Sequence, residues 1–468
     1  MASQLNQQAW LLTQLADWAN AQLIGTETTV TGFSTDSRST QPGDCYIAIV
    51  GDKFDGHQFI AQAIENGAKA VMVSQPCELS VPQLLVKDTR LALGHLAHHH
   101  RLGQAQVAVI AVTGSNGKTT VKSMLAHCLQ RIAPTWATPG NLNNDFGVPR
   151  TLLQITDQHR YAVIEMGANH RKEIDYLSRM AQPNIALITL AADAHLEGFG
   201  SLQGVIDTKG EIFNGLQSGG VGVINTDSPG YAQWASQLKS QSFLTFGRQP
   251  QADVRVESVK QTSAGLQVGL CLNQQSDTFT MPILGVHNAM NAAAVCAVCL
   301  ALDLPWSEIK AGLESFSGVG GRLQTHVLAN GMLIDDSYNA NPGSVKAGID
   351  TLAELDGYKV LCLGAMAELG ETTAQAHADV GRYAAERGID FVYGYGEATQ
   401  ASLNAFAAEK SQPAMSIMRH QQMIEQIQLL LAEQGEQPIH ILIKGSRSAQ
   451  MEQVVNAIIK GEQNAHLS

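Results

Sequence analysis

The sequence is short of positive charge: 30 lysines and arginines stand against 42 aspartates and glutamates, a formal net charge of −12. That balance argues against non-specific binding to nucleic acid, yet a local basic pocket can still hold an anionic small molecule. No apolar run approaches the ~20 residues of a membrane-spanning helix. The opening stretch MASQLNQQAWLLTQLADW lacks the basic segment and apolar core of a secretory signal, so a cytoplasmic protein is expected. Low-complexity tracts and repeats at solenoid spacing are also missing. The cysteines number seven, an odd count in a chain expected to be cytosolic, which argues against a disulfide framework. Cys296 and Cys299 form a C-x-x-C pair inside NAAAVCAVCLAL, which reads as an Ala-rich helix, so core packing accounts for them. His98, His99 and His100, with His95 one turn earlier, have no cysteine or carboxylate cluster beside them and read as a solvated helix face.

With 468 residues, 44% of them hydrophobic, the chain can bury ordinary cores in about three domains at ~150 residues each. The first section, 1–86, holds short strands such as CYIAIV and AVMVS. The segment VKDTRLALGHLAHHH then leads by a helix into the second section, 87–316, with strands at YAVIEMG, NIALITL and GVGVINTD separated by helices. The third, 317–468, has strands at GMLIDDSY, YKVLCLGAM, DFVYGYG and IHILIKGS, again separated by helices. Strand–helix alternation predicts parallel α/β sheets. The expected fold is α/β with three domains: a small α/β front domain, a central P-loop parallel-sheet domain and a C-terminal Rossmann-like domain.

What the sequence does contain is a phosphate-binding signature, VAVIAVTGSNGKTTVKSML from Val107 to Leu125. The β-branched run Val107–Val112 predicts a buried parallel strand, and Val121, Met124, Leu125 and Leu129 recur at helical spacing. Between them stands Thr113-Gly114-Ser115-Asn116-Gly117-Lys118-Thr119-Thr120, a P-loop whose glycine spacing is shortened, with Val112 where the common form has its first glycine. Backbone N–H groups at the helix start can hold a phosphate chain; Lys118 is expected to neutralise the outer phosphates and the Thr119 hydroxyl to ligate Mg²⁺.

Other candidates lie at strand ends. Glu165 closes the apolar strand of YAVIEMGAN and is placed to hold Mg²⁺. His195 and Lys209 flank a Gly-rich turn in AADAHLEGFGSLQGVIDTKGEIF; an ammonium repels a metal, and read alone His195 is a polar loop residue and Lys209 a solvated helix residue. Asn288 and Asn291, three apart in GVHNAMNAAAV, face the same way and can meet a base edge, although helix capping explains them equally well. Arg322 follows the glycines of GVGGRLQ. Asp336 and Asn339 lie in IDDSYNANPGS, and Lys444 and Arg447 in IKGSRSAQME. Together these line the carboxyl edge of a sheet, where a second substrate binds. A simple ATPase or kinase leaves those polar strand ends in a separate section unexplained, and a dead nucleotide-binding module would have lost Lys118, Glu165 or His195.

The set GSNGKTT, GNLNNDFGVPRTLL, EMGAN, AHLEGFGS, DTKGEI, HNAMNA, GGRLQ, DDSYNANPGSV, GAMAELG and KGSRS, in order from about residue 32 to residue 452, resembles the Mur ligases of peptidoglycan synthesis. DDSYNANP and GAMAELG resemble the member that adds D-alanyl-D-alanine; the DYAH-type and DNPR segments of the member that adds the third residue do not occur. Folylpolyglutamate synthase, another relative, lacks the front domain.

The resemblance implies an ATP-dependent amide ligase that joins D-alanyl-D-alanine to UDP-N-acetylmuramoyl-tripeptide through an acyl phosphate, with ATP and Mg²⁺ as cofactors and a monomeric chain. It implies a carbamylated Lys209 that ligates a second Mg²⁺ with His195, while Glu165 and Thr119 serve the ions near the phosphates. Asn291 is then expected at the adenine, Arg322 at the outer phosphates and Asp336 at the ribose or phosphate side. Asp36, Ser37 and Arg38 of TDSR, and Asp55, Gly56 and His57 of GDKFDGHQF, are expected at the UDP end of the substrate. Asn143 and Asn144 are expected along its peptide.

Overall fold

The computed structural model describes residues 9–51, 54–192, 196–262, 265–410, 414–433 and 437–465. At its centre is a nine-stranded sheet in which the strand Ala108–Thr113 lies between Tyr161–Glu165 and Ile185–Ile188, parallel to both. Side chains alternate across this strand: Val109 and Ala111 enter one apolar core, Ile110 and Val112 the other. The first core is shared with the helices Thr89–Gly103 and Glu173–Ala181. The second is shared with Lys118–Gln130 and the Ala-rich Asn288–Ala301. Burial on both faces is why the strand reads as an unbroken apolar run. The chain leaves Ala108–Thr113 towards Thr135–Ala137 and Tyr161–Glu165 on one side, then crosses to Ile185–Ile188 on the other. That reversal opens a crevice at the carboxyl ends of the strands.

The sheet is not parallel throughout, as the sequence reading had it. After Ser242–Gly247 and the parallel Val254–Thr262 come two antiparallel strands, Gly265–Leu272 and Gln275–Met281. Their apolar residues alternate: Leu266, Val268, Leu270, Phe279 and Met281 are buried, while Gln267 and Thr278 face outward. One wet face suits antiparallel pairing and gives no unbroken apolar run to read.

A six-stranded sheet follows, in the order Gln324–Leu328, Gly331–Asp336, Ile439–Lys444, Tyr358–Gly364, Phe391–Tyr395, Ala414–Ile417, parallel except for its first strand. The front sheet has five strands, with Asp44–Ile47 and Ala70–Val73 inside it. Its core continues through the helix Thr89–Gly103 into the central sheet.

All seven cysteines are free. Cys45, Cys128, Cys296, Cys299 and Cys362 are buried, and burial pushes the Cys45 and Cys128 thiols up to about 12. Cys77 and Cys271 are only partly covered. The histidine run is solvated only in part: His95 and His99 are exposed, but His100 is buried against the Ile155 carbonyl at 2.7 Å and His98 contacts the Met180 carbonyl at 3.0 Å. His99 stacks on Trp18. The helix is wedged between the front and central sheets, so it has two packed sides. Among the described residues no helix is long and apolar enough to cross a membrane.

Candidate active site

The glycine loop turns sharply because of its glycines. Gly114 has φ +149°, and a Cβ there would fall within 1.9 Å of Thr189 Oγ1; Gly117 has φ +83° and caps the helix Lys118–Gln130. The rest of the loop is pinned from outside. Thr189 Oγ1 donates to the Asn116 carbonyl at 2.6 Å, Ser115 N donates to the Leu190 carbonyl at 2.7 Å, and Thr113 Oγ1 donates to the Met166 carbonyl at 2.7 Å. Lys118 Nζ curls back onto the Gly114 carbonyl at 2.5 Å. Burial lowers its pKa, with Glu165 opposing and Arg322 reinforcing the fall.

Glu165 is buried beside this loop because its strand pairs in register with the P-loop strand, Val112 opposite Glu165. Its Oε1 accepts from Thr119 Oγ1 at 3.2 Å and from Asn143 Nδ2 at 2.9 Å. Its Oε2 has no hydrogen-bond partner, and Lys122 Nζ lies 3.4 Å away. Lys122 was not singled out in the sequence. It sits one helical turn after Lys118, is 4% exposed, and donates to the Thr138 and Gly140 carbonyls at 2.9 and 3.0 Å. Its lysine-plus-four spacing is the only signal the sequence offered.

Lys118, Thr119 and Glu165 face a cavity of about 490 Å³ lined by 115–120 of the loop, Asn143, Asn144, Glu165 and, from the third section, Arg322, Tyr338, Asn339 and Asn341. The walls touch: Asn341 Nδ2 donates to Asn116 Oδ1 at 2.8 Å. Arg90 and Asp145, an ion pair at 2.7 Å, also line it. Tyr338 and Arg90 carry no signal of their own in the sequence, whereas Asn341 is the second asparagine of IDDSYNANPGS.

The other expected residues fall in several places. Asn291 abuts the loop, its Oδ1 lying 2.7 Å from where a Gly117 Cβ would be, and its Nδ2 donates to Asn288 Oδ1 at 2.8 Å. Asn288 donates to the Leu284 carbonyl at 2.7 Å. Thr120 lines the cavity. Asp336 and Lys444 are buried against each other at 2.5 Å, Lys444 also donating to the Asn339 carbonyl, and neither lines the cavity. Arg447 pairs with Glu452 at 3.0 Å.

Lys209 is not a solvated helix residue: it is 1% exposed, in the helix Leu202–Gly210, with Nζ 5.3 Å from the Phe199 ring centroid. Burial first, then the charge of Lys118, pull its pKa from 10.5 to about 7. His195 lies outside the described residues.

The front set stands apart from this cavity. Asp36 accepts from Arg38 Nε at 2.9 Å and Nη2 at 2.7 Å, which holds its carboxyl at about 2. Ser37 donates to Gln62 at 2.7 Å. Asp55 accepts from His57 N at 3.0 Å and contacts His57 Nδ1 at 2.7 Å; Gly56 leaves no room for a Cβ against Ile49. Of GDKFDGHQF, 52 and 53 are outside the described residues. Thr35, next to the set, lines a separate cavity of about 330 Å³ between front and central sheets with Arg150 and Trp136.

Comparison with known proteins accords with this geometry. The chain matches the Mur ligase family, catalytic domain, over 29–101, the Mur ligase middle domain over 112–299, and the Mur ligase glutamate ligase domain over 321–447. It is 43% identical to the UDP-N-acetylmuramoyl-tripeptide–D-alanyl-D-alanine ligase of Escherichia coli K12, covering 95% of this chain and 97% of that one. A crystal structure of MurF from Acinetobacter baumannii superposes with a TM-score of 0.91 at 36% identity, over 97% of this chain and 100% of that one. The MurF ligase of Thermotoga maritima in complex with ADP gives a TM-score of 0.82 at 26% identity, over 92% and 98%. By motif, fold and overall similarity, the chain belongs to the Mur ligase family.

Proposed function

We propose that the chain performs the reaction for which its relatives are named. It is an ATP-dependent ligase that joins D-alanyl-D-alanine to UDP-N-acetylmuramoyl-tripeptide, giving the pentapeptide precursor of peptidoglycan. The observation that carries this reading is the shared cavity: a phosphate loop and a buried carboxylate on one wall, and the polar strand ends of a second sheet on the other. An ATPase needs only the first wall; a ligase needs a second to bring an amine to the activated acid. Both walls come from one chain, so a monomer suffices. The division 1–86, 87–316 and 317–468 then separates a substrate-binding front, the nucleotide site and the closing wall. ATP and UDP-linked substrates put the reaction in the cytoplasm.

In the first step a carboxylate oxygen of the tripeptide attacks the γ-phosphorus of ATP. An O–P bond forms, the bond to the β-phosphate oxygen breaks and ADP leaves. Lys118 and Arg322 neutralise the charge that builds on the phosphoryl oxygens. Lys118 must release the Gly114 carbonyl to do so. In the second step the amine nitrogen of D-alanyl-D-alanine attacks the acyl carbon, phosphate leaves with the C–O electrons and the nitrogen loses a proton. Asn339, Asn341 and Arg447 hold the dipeptide side, Asn143 and Asn144 the peptide, and Asn291 the adenine. Asp36, Ser37, Arg38, Asp55, Gly56 and His57 serve the UDP end, and the buried Asp336–Lys444 pair shapes the ribose side.

The oxygens near the loop suit a hard cation. Glu165 Oε2 is buried with no hydrogen-bond partner, next to the Thr119 hydroxyl. Among the described residues no three histidine, cysteine or carboxylate groups cluster for a metal. Thr119 and Glu165 would hold Mg²⁺, which would supply positive charge to the phosphates. A second ion would be held by His195 and by Lys209 as its carbamate, which requires the neutral amine that the burial of Lys209 favours. Phosphate release with UDP-N-acetylmuramoyl-tripeptide and D-alanyl-D-alanine, followed by mass spectrometry of the pentapeptide, tests the whole reading. Product with another amino acid, or phosphate release indifferent to any amine, overturns it.

A further inference from the structure

Tyr338 has no role in the mechanism above, yet it stands at its centre. It follows the strand Gly331–Asp336 by two residues and lines both the main cavity and an adjoining one of about 510 Å³ behind the helix Lys118–Gln130. The Arg322 guanidinium lies over its ring at 4.3 Å from the centroid, and that of Arg447 at 6.0 Å. The approach is built into the backbone: Tyr338 N donates to the Gly321 carbonyl at 3.2 Å. Gly321 has φ +70°, and a Cβ there would come within 3.1 Å of Tyr338 Cβ. On its other side the ring faces the same cavity as Asn141, in the segment that carries Asn143 and Asn144.

The chemistry of this contact differs from that of an ion pair. A carboxylate beside Arg322 would fix the guanidinium but cancel its charge and occupy its N–H donors. An aromatic face fixes the plane, leaves the charge intact and leaves the edge donors free for phosphoryl oxygens. Arg322 Nε is buried without a hydrogen-bond partner, as a donor kept for a ligand would be.

We propose that Tyr338 is a positioning residue for phosphoryl transfer: its ring holds the Arg322 guanidinium flat at the cavity without drawing off its charge. The inference rests on the ligase reading. Arg322 reaches the phosphates from the second wall, so its setting relative to the nucleotide loop must be held across the gap, and Tyr338 lines the cavity between the two walls.

The test compares Tyr338→Phe, Tyr338→Leu and Arg322→Lys with the Tyr338→Leu/Arg322→Lys double variant, by phosphate release under saturating substrates. Wild-type turnover is measured first and carries the ligase reading by itself; the ratios among variants carry this one. Tyr338→Leu should lower kcat about 10- to 30-fold, the loss expected of a desolvated cation–π contact, with KM for D-alanyl-D-alanine within about twofold. Tyr338→Phe should keep kcat within about fivefold. Arg322→Lys should cost far less in the Tyr338→Leu background than alone, because both changes remove one unit. Equal losses in Phe and Leu variants, full additivity in the double variant, or unchanged kcat in Tyr338→Leu overturns the proposal. Should Tyr338→Leu melt early, the same cycle with Tyr338→Gln decides by the same criteria.

Discussion

Replacing Lys209 by methionine should make the protein more stable and inactive at once. The amine is buried on the inner side of its helix, against Phe199 and within the influence of Lys118, and its pKa falls from 10.5 to about 7. At about 1.4 kcal/mol per pH unit, holding this amine in the folded chain below pH 7 costs roughly 4 to 5 kcal/mol. The folded pKa is depressed for a base. The unfolded chain therefore keeps its proton up to about pH 10.5 while the folded chain gives it up near 7. Between those limits the unfolded state binds more protons, so wild-type stability climbs with pH across the window. Methionine has a similar length and no charge, and escapes the penalty. In CO₂-free buffer at pH 7 the variant should be more stable by about 4 kcal/mol, a rise in Tm of roughly 8 to 16 °C for a unit of ~200 residues. At pH 10 the gap should close to below about 1 kcal/mol. Calorimetry of both proteins in degassed buffer at the two pH values reads this directly, with phosphate release as the companion assay. Bicarbonate should narrow the gap at pH 7 from the wild-type side, because a carbamate removes the ammonium. A variant that melts at or below wild type at pH 7, or a gap that is the same at pH 10, refutes the reasoning.

Three further outcomes are expected. Lys118→Ala should abolish ligation with Tm unchanged within a few degrees, since its charge faces the cavity and not a core; near-normal turnover would sink its role. Lys122→Met should cost about 3 kcal/mol by leaving Glu165 buried without its cation, and much less in a Glu165→Gln background; equal costs in the two denaturation series would deny the coupling. Gly114→Ala should weaken ATP binding at least tenfold by calorimetric titration, because a Cβ would meet Thr189 Oγ1 at 1.9 Å on a backbone at φ +149°; unchanged affinity would mean that the loop relaxes freely.

Much of the central architecture could be read from residues alone. The apolar run before Thr113 and the helical spacing after Thr120 place a strand and a helix where Ala108–Thr113 and Lys118–Gln130 lie. The acid at the tip of YAVIE arrives beside the loop because adjacent parallel strands share a register. What escaped was burial decided by neighbours distant in sequence. Lys209 looks like any lysine of a short helix until Phe199 and the loop close over it. His100 looks solvated until the front sheet packs against its helix. Asp336 and Lys444 both sit at strand ends, but whether such groups face a ligand or each other depends on strands 108 residues apart being neighbours. The antiparallel strands after residue 262 alternate between a buried and a wet face, so they offer no unbroken apolar run of the kind that marks the parallel strands. Tyr338 gave no signal of its own, since ring-to-guanidinium contact needs the third dimension.

The uneven burial of the cysteines makes the native chain a ready-made ruler. Five thiols are sealed in cores, and only Cys77 in the front unit and Cys271 on an antiparallel strand of the central sheet are partly open. A maleimide dye pair should therefore settle on those two positions without any engineering, one on each unit. Energy transfer between them would then follow how the front unit moves against the nucleotide unit as substrates are added in turn, in the unmutated protein.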